Sequence, residues 1–513
     1  MASSRWTASP RWRALRRFAH GRLRCFLIVA LMAVAANAGC SHPDAETATP
    51  PPSVVLIAFD QLTASDVGFL RPPRDVSSTP NLDALAARAE IRGRGIAASS
   101  SPPIALASLL VGARPWQHGL LTHELGTLRP SFPTLAKRLK NGGWSTRGFL
   151  PTDRRLHTYP GLLDGFDQLV DSDDQAQAED TLRELGAEPT FVWLHLRDAG
   201  LPWARRGGPP FGRLDLFPFV SPTDAMPVAL RRQAQRARRR STMDADARLG
   251  RLLAALEASG QRDRVVLAVT ALHGVELGEH GQALWGENLE RAVLEVPLIV
   301  DLPGAKATAP VEEDGRTNED LKVLSVSRTH ATLLDALGIA IPPALEPSIL
   351  TEPAGDLPAV SSRYARNGVN LFSAVVSATA SPARQLIWTT RFATPDPEYH
   401  AALRARAGDR RVRPTRSARR IFSDLRTRFL RSEPFTGGDI TMRSVIWHAD
   451  GRVLNRPAEG LEARADAARL RRAWMRFVPR EQTPAEALGH PSARPASDRV
   501  ETSTRRIPSV SGP

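Results

Sequence analysis

Six consecutive apolar residues, Val54 to Phe59, give way at once to Asp60 and Gln61. Unbroken runs of this length with branched side chains suit a strand covered on both faces, and ligands of open α/β sheets gather beyond strand carboxyl ends. The pattern therefore predicts a first buried strand that delivers Asp60 and Gln61 to a position fit for chemistry. A carboxylate that only caps the following turn is the competing reading. Further along, apolar runs alternate with helical segments through Thr79 to Ala89, Pro133 to Lys140, Gly143 to Leu150 and Pro189 to His195. Met243 to Ala258 carries apolar residues at helical spacing, and Arg264 to Thr270 reads as another buried strand. Val296 to Gly304 holds a further strand, and a helix over Ala331 to Leu337 stops at Gly338 ahead of Pro342 and Pro343. Alternation of this kind predicts a three-layer α/β domain over residues 54–345. Strand-like pieces at Gln385 to Thr389 and Arg443 to His448 flank an arginine-rich middle, Arg404 to Arg431, and predict a small α+β subdomain over 346–480. The last stretch, 481–513, is rich in Pro, Ser and Thr and reads as a disordered tail.

The amino-terminal pattern points to export. Arg5, Arg11, Arg13, Arg16, Arg17, Arg22 and Arg24 precede a short apolar run from Phe26 to Ala38, the layout of a signal peptide over residues 1–40. The run is shorter than the roughly 20 residues a membrane-spanning helix needs. It ends in Asn37-Ala38-Gly39-Cys40, which resembles a bacterial lipobox, with Cys40 as the lipidated residue. Asn37 replaces the usual aliphatic residue, so plain cleavage and a secreted or periplasmic soluble protein stay open. Residues 41–53 are polar and proline-rich, as expected of a tether. The expectation is a membrane-anchored lipoprotein, periplasmic or at the cell surface. Cys25 would leave with the signal, and no disulfide or cysteine metal cluster could then form.

The 513 residues and 42% apolar content permit one large core and a smaller domain. The formal charge of +14 is almost wholly arginine, since Lys occurs only at Lys137, Lys140, Lys306 and Lys322. A basic balance suits nucleic acid or an anionic envelope surface, but no nucleic-acid fold or aromatic-interleaved basic patch is present in the pattern, and no nucleic-acid partner is expected.

Several stretches, taken in order, resemble the sulfatase family of the alkaline phosphatase superfamily: VVLIAFDQL, TPNLDALAARA, ALASLLVGARPWQHG, GFDQLVD, FVWLHLRD, LAVTALHGVELGEHG, VPLIVDLPG and ATLLDALGIAIP. The resemblance implies an alkaline phosphatase-like three-layer domain with a mixed, mostly parallel sheet. It also implies a hydrated formylglycine nucleophile made from Cys or Ser, and a divalent cation such as Ca²⁺ held by carboxylates. This sequence departs from the implied site at most positions. The nucleophile position falls on Pro102, with Ser99, Ser100 and Ser101 as neighbouring substitutes, and the assisting Arg is Leu106. In the opening motif Asp60 remains beside Gln61, and the Asp of Asp-His-Gly is Leu272, leaving His273. Asp60, Gln61 and His273 would be the remnant of the metal site, where Ca²⁺ or another divalent cation is the expected ligand. The Lys-x-His position falls on Pro151 to Asp153, a second His on Gly200 and a further Lys near Gly286; His118, His195 and His280 read as structural. The expected function is a pseudoenzyme that binds a glycan, an anionic ligand or a protein partner. The alternative is a divergent metal-dependent hydrolase of sulfuric or phosphoric esters.

Overall fold

The computed structural model describes residues 50–71, 76–120, 128–151, 156–171, 175–204, 209–219, 226–279, 281–286, 288–304 and 323–352, and the strands at 359–366, 371–381, 384–393, 440–447 and 453–457. Cys40, the signal and most of the tether, the Arg404 to Arg431 segment, His280 and the tail fall outside these residues.

The first strand forms where the apolar run places it. β1 (Ser53–Phe59) is buried along its whole length and lies parallel between β5 (Thr190–Leu196) and β6 (Val265–Ala271), with Val55 opposite Val192 on one side and Leu267 on the other. Both faces are covered, which is why none of the three alternates in polarity. Each fully buried Val, Leu, Ile or Phe contributes about 1.5–3 kcal/mol relative to exposure. The full sheet adds β2 (Ile91–Ile96), β3 (Ser145–Leu150), β4 (Gln168–Asp171), β7 (Glu295–Asp301) and β8 (Val323–Ser325), in the order β8-β2-β7-β6-β1-β5-β3-β4. β7 runs against both of its neighbours, and every other pairing is parallel. The result is a mixed, mostly parallel eight-stranded sheet with helices, the α/β architecture that the apolar pattern predicts. β2 escapes that pattern because its sequence, IRGRGI, spaces two arginines through it. Arg94 is accommodated by donating to the Leu70 carbonyl at 2.7 Å and pairing with Glu295 at 3.5 Å.

α1 (Pro80–Arg88) opens with Pro at its first turn, where no N–H is needed. Its free N–H groups are capped from a distance: Asn81 and Leu82 donate to the Asp246 carboxylate at 3.0 and 2.9 Å. The Thr79 hydroxyl instead accepts from the Gly68 N–H and donates to Asp83. Asp246 belongs to α5 (Val228–Ala258), the 31-residue helix that packs against α1. The apolar periodicity predicts only its second half. In the first half the inward face is made of Ala234, Ala237, Arg238 and Ser241, too small or too polar to produce the signal. Further helices are α2 (Pro102–Val111), α3 (Leu135–Asn141), α4 (Gln175–Arg183) and α6 (Arg328–Ala336).

β9 (Ala359–Arg366), β10 (Leu371–Ser381), β11 (Arg384–Ala393), β12 (Ile440–Trp447) and β13 (Val453–Pro457) form a second, wholly antiparallel sheet in that spatial order. The expected strands at 385–389 and 443–448 lie within β11 and largely within β12. Ser361 ties this sheet to the first by donating to the Ala97 carbonyl at 2.6 Å.

Candidate functional site

The backbone ladder continues one residue past the central strands. Asp60 N–H donates to the Leu196 carbonyl at 2.8 Å, and Leu272 N–H to the Phe59 carbonyl at 2.8 Å. The carboxyl ends of β1, β5 and β6 are thereby held side by side, and the residues that leave them meet. His195 Nε2 and His273 Nε2 each lie 3.8 Å from Asp60 Oδ1. His195 stacks on Trp193 with ring centroids 5.9 Å apart, and neither of its ring nitrogens has a hydrogen-bond partner. His273 is fully buried against Trp285, ring centroids 5.3 Å apart, and Arg213 lies 5.5 Å above the far ring.

Hydrogen bonding fixes the His273 tautomer. Its Nδ1 is 2.7 Å from the Gly274 carbonyl and must donate to it, so the unpartnered Nε2 presents a lone pair to Asp60. Burial pushes the His273 pKa down, more than the nearby Asp60 and the Gly274 carbonyl raise it, and the ring is neutral near pH 7. For Asp60, burial on its own would raise the pKa, but the His195 imidazole, then His273 and Arg197, outweigh it and hold the value at about 2. The centre is thus an ionised carboxylate between two imidazoles.

Gln61 is buried beside it, with Oε1 accepting from Leu201 N–H at 3.2 Å. A Cβ on Gly200 would sit 3.3 Å from Gln61 Nε2 and 3.5 Å from Asp60 Oδ2, so the position at which the resemblance implies a second His borders the carboxylate but offers no side chain. Leu272 is buried in the main apolar core. A hard cation such as Ca²⁺ takes six to eight oxygen ligands, dominated by carboxylates. One carboxylate, one amide already engaged and a leucine do not fit that cage. Among the described residues no group of three or more His, Cys, Asp or Glu is arranged to hold a metal ion.

The position at which the resemblance places the nucleophile is a helix start. Ser101 is in extended conformation at the cap of α2, and Pro102 fills its first turn, where proline's fixed φ and missing N–H are favourable. Leu106 is fully buried. Ser99 accepts from Ser101 N–H at 3.3 Å; Ser100 is buried with its hydroxyl unpartnered. Thr152 and Asp153 lie outside the described residues, and Gly286 adopts φ +88° in a loop.

Other motif residues build the frame. His118 Nδ1 accepts from Leu120 N–H at 3.2 Å, so Nε2 carries the proton and donates to the Ser108 hydroxyl at 3.0 Å. Arg114 pairs with the fully buried Glu346, which also accepts from Ser325 and Ser327. Periodicity gives no warning of Trp285, of Arg213 or of the 2.8 Å ion pair between Asp198 and Arg248 beyond the end of β5. Trp285 follows Leu284, which has φ of 71° and ends a two-residue strand too short for an apolar pattern to register.

The sheet gathers polar residues at the carboxyl ends of its central strands, as expected of a site on an open α/β scaffold. The model of the sulfatase family matches residues 52–339, and the chain belongs to that family. Iduronate 2-sulfatase of Homo sapiens is 29% identical over 140 residues, covering 24% of this chain and 25% of that protein, so the match spans about a quarter of the relative. The phosphonate monoester hydrolase of Agrobacterium radiobacter is similar in structure with a TM-score of 0.51 and 17% identity, covering 72% of this chain and 96% of that one. A 2-O GAG sulfatase gives a TM-score of 0.50 and 17% identity, covering 70% and 90%. At such identity the two structures share the fold.

Proposed function

We propose that the protein is a sulfatase-family pseudoenzyme of the bacterial cell envelope, one that binds a ligand at the former reaction centre without cleaving an ester. The observation that carries this reading is Pro102 in the first turn of α2: no side-chain heteroatom stands where the family's nucleophile is made. The centre also has the wrong polarity for a sulfate. Asp60 is anionic and His273 Nε2 is an acceptor, so a hydroxyl of a glycan or an ammonium group of a protein partner suits the pair better than an oxyanion. The test is turnover of an aryl sulfate and an aryl phosphate by the full chain with Ca²⁺, Mg²⁺, Mn²⁺ or Zn²⁺. Rates equal to those of Asp60→Ala support the proposal, and specific turnover by the wild type sinks it.

The envelope assignment draws on the arginine-led apolar run ending at Cys40. Incorporation of radiolabelled palmitate, lost in Cys40→Ala, separates an anchored lipoprotein from a cleaved soluble protein.

One arrangement favours the divergent hydrolase as a second reading. Asp60 is held ionised beside two imidazoles with unpartnered nitrogens, a set from which a proton could be moved. Under that reading turnover is present and Asp60→Ala abolishes it.

A further inference from the structure

The first half of α5 carries six arginines and no carboxylate between Val228 and Met243. Arg238 turns inward, pairing with Asp66 at 2.7 Å and donating to the Val275 carbonyl at 3.1 Å. Arg232, Arg236, Arg239 and Arg240 are exposed, and none of them has a carboxylate partner among the described residues. At 100° per residue these four, with Val228 and Met243, fall within roughly 120° of the helix circumference. The opposite side holds the buried Ala234, Ala237 and Ser241. The stripe is therefore a fixed cationic ridge on a helix that the core holds in place.

Apolar side chains accompany the charge. Val228 is 59% and Met243 52% exposed at the two ends of the stripe. Val76, 90% exposed, presents its backbone carbonyl to Arg239 at 3.4 Å. Leu214 and Phe217, 84% and 57% exposed, flank Leu216, which packs in one cluster with Ala234 and Ala237 of the same half-helix. Val228 and Met243 thus lie on the stripe itself, and Val76 lies beside it through Arg239. A soluble polyanion would need the arginines alone. Unpaired cations interleaved with water-exposed aliphatic groups match a bilayer surface, where phosphates meet the cations and the acyl boundary receives the apolar groups.

We propose that the outer face of α5 from Val228 to Met243 is a docking surface for an anionic phospholipid bilayer. The helix lies along the surface and does not cross it: no helix of the described residues is long and apolar enough to span a membrane. Contact depends on neither turnover at Asp60 nor acylation of Cys40.

The test places an environment-sensitive fluorophore at Met243→Cys in the full chain carrying Cys25→Ser and Cys40→Ser, and adds vesicles of phosphatidylglycerol and phosphatidylcholine containing brominated lipid. Expected are a blue shift and quenching that vanish on pure phosphatidylcholine and in high salt. At about 1 kcal/mol per arginine near an anionic surface, R232Q/R236Q/R240Q should weaken the quenching association on the order of a hundredfold. R404Q/R406Q/R410Q removes equal charge elsewhere and should leave it within a few-fold. Because the readout is local to α5, binding through the leader does not mask it. Absence of quenching, or equal loss in both triple variants, overturns the proposal. So does unchanged binding by Val228→Asn, read at the same label, since a surface for a soluble polyanion would not use that side chain.

Discussion

Three buried imidazoles carry a cost that shows only when the chain is acidified. His118 donates to Ser108, and His330 donates from Nδ1 to the Leu110 carbonyl at 2.9 Å beneath Gly112, where a Cβ would come within 2.8 Å of the ring-bearing carbon. Burial pushes both pKa values down to about 3, with Arg129 adding to the effect at His118 and Arg138 at His330; burial also lowers that of His273. In the unfolded chain a histidine titrates near 6.5. Between about 6.5 and 3 the unfolded chain therefore binds more protons, and folding stability falls as pH falls. Each such group contributes a slope of about 1.4 kcal/mol per pH unit once its unfolded form is charged. Urea midpoints measured from pH 7.5 to pH 5 should drop steeply below about 6.5, and His330→Gln should flatten the slope by one proton. A flat profile over this range would contradict the neutral, buried assignment. Asp60 acts lower on the scale: with its folded value depressed to about 2, its contribution is present above the ordinary carboxylate range and disappears only as pH falls through about 2.

At the level of elements, the motif TPNLD works as a joint between two helices. Asp246→Ala would leave the amides of Asn81 and Leu82 without their carboxylate acceptor, and each buried unsatisfied group costs about 1–3 kcal/mol. A loss of about 3 kcal/mol is expected, with Asp246→Asn at about half that because one acceptor oxygen survives; chemical denaturation measures both. GFDQLVD has a comparable role at the start of α3. Gly165 adopts φ +100°, and a Cβ there would lie 2.2 Å from the backbone nitrogen of Lys137, whereas Gly143 at φ +97° faces open space. Gly143→Ala should cost only the backbone term of about 1–2 kcal/mol. Gly165→Ala must also displace the first turn of α3, adding about 1–3 kcal/mol of overpacking. Equal melting temperatures for the two variants would show that α3 yields at no cost.

Across the whole molecule, legibility follows burial on two faces. β1, β5 and β6 are nearly continuous apolar runs, so their positions can be read from the chain to within about a residue, as can the start of β7, although its end falls three residues earlier than the run suggests. β2 and the first half of α5 cannot, because arginines that are paired or turned outward interrupt the expected period. The site divides in the same way. Asp60, Gln61, Leu272 and His273 sit at strand ends that the sheet order brings together, but His195 against Asp60, Trp285 against His273 and Arg248 against Asp198 join residues far apart in sequence, where no local pattern exists. The same burial leaves the strand ends poorly suited to a hard cation. Leu272 belongs to the core, and Gln61 accepts from Leu201 N–H, so building a carboxylate cage means burying charge where apolar packing and a neutral amide serve. Gln61→Asp combined with Leu272→Asp would set two further carboxylates beside Asp60, and without metal their mutual repulsion and desolvation should lower the melting temperature sharply. A cation that binds only the folded form stabilises it by about 2.7 kcal/mol at a hundred times its dissociation constant. Millimolar Ca²⁺ should therefore raise the melting temperature of the double variant by several degrees and leave that of the wild type unchanged. A comparable rise in the wild type would show that Asp60 and its neighbours still hold the ion, and would move the centre from ligand binding back toward metal-assisted hydrolysis.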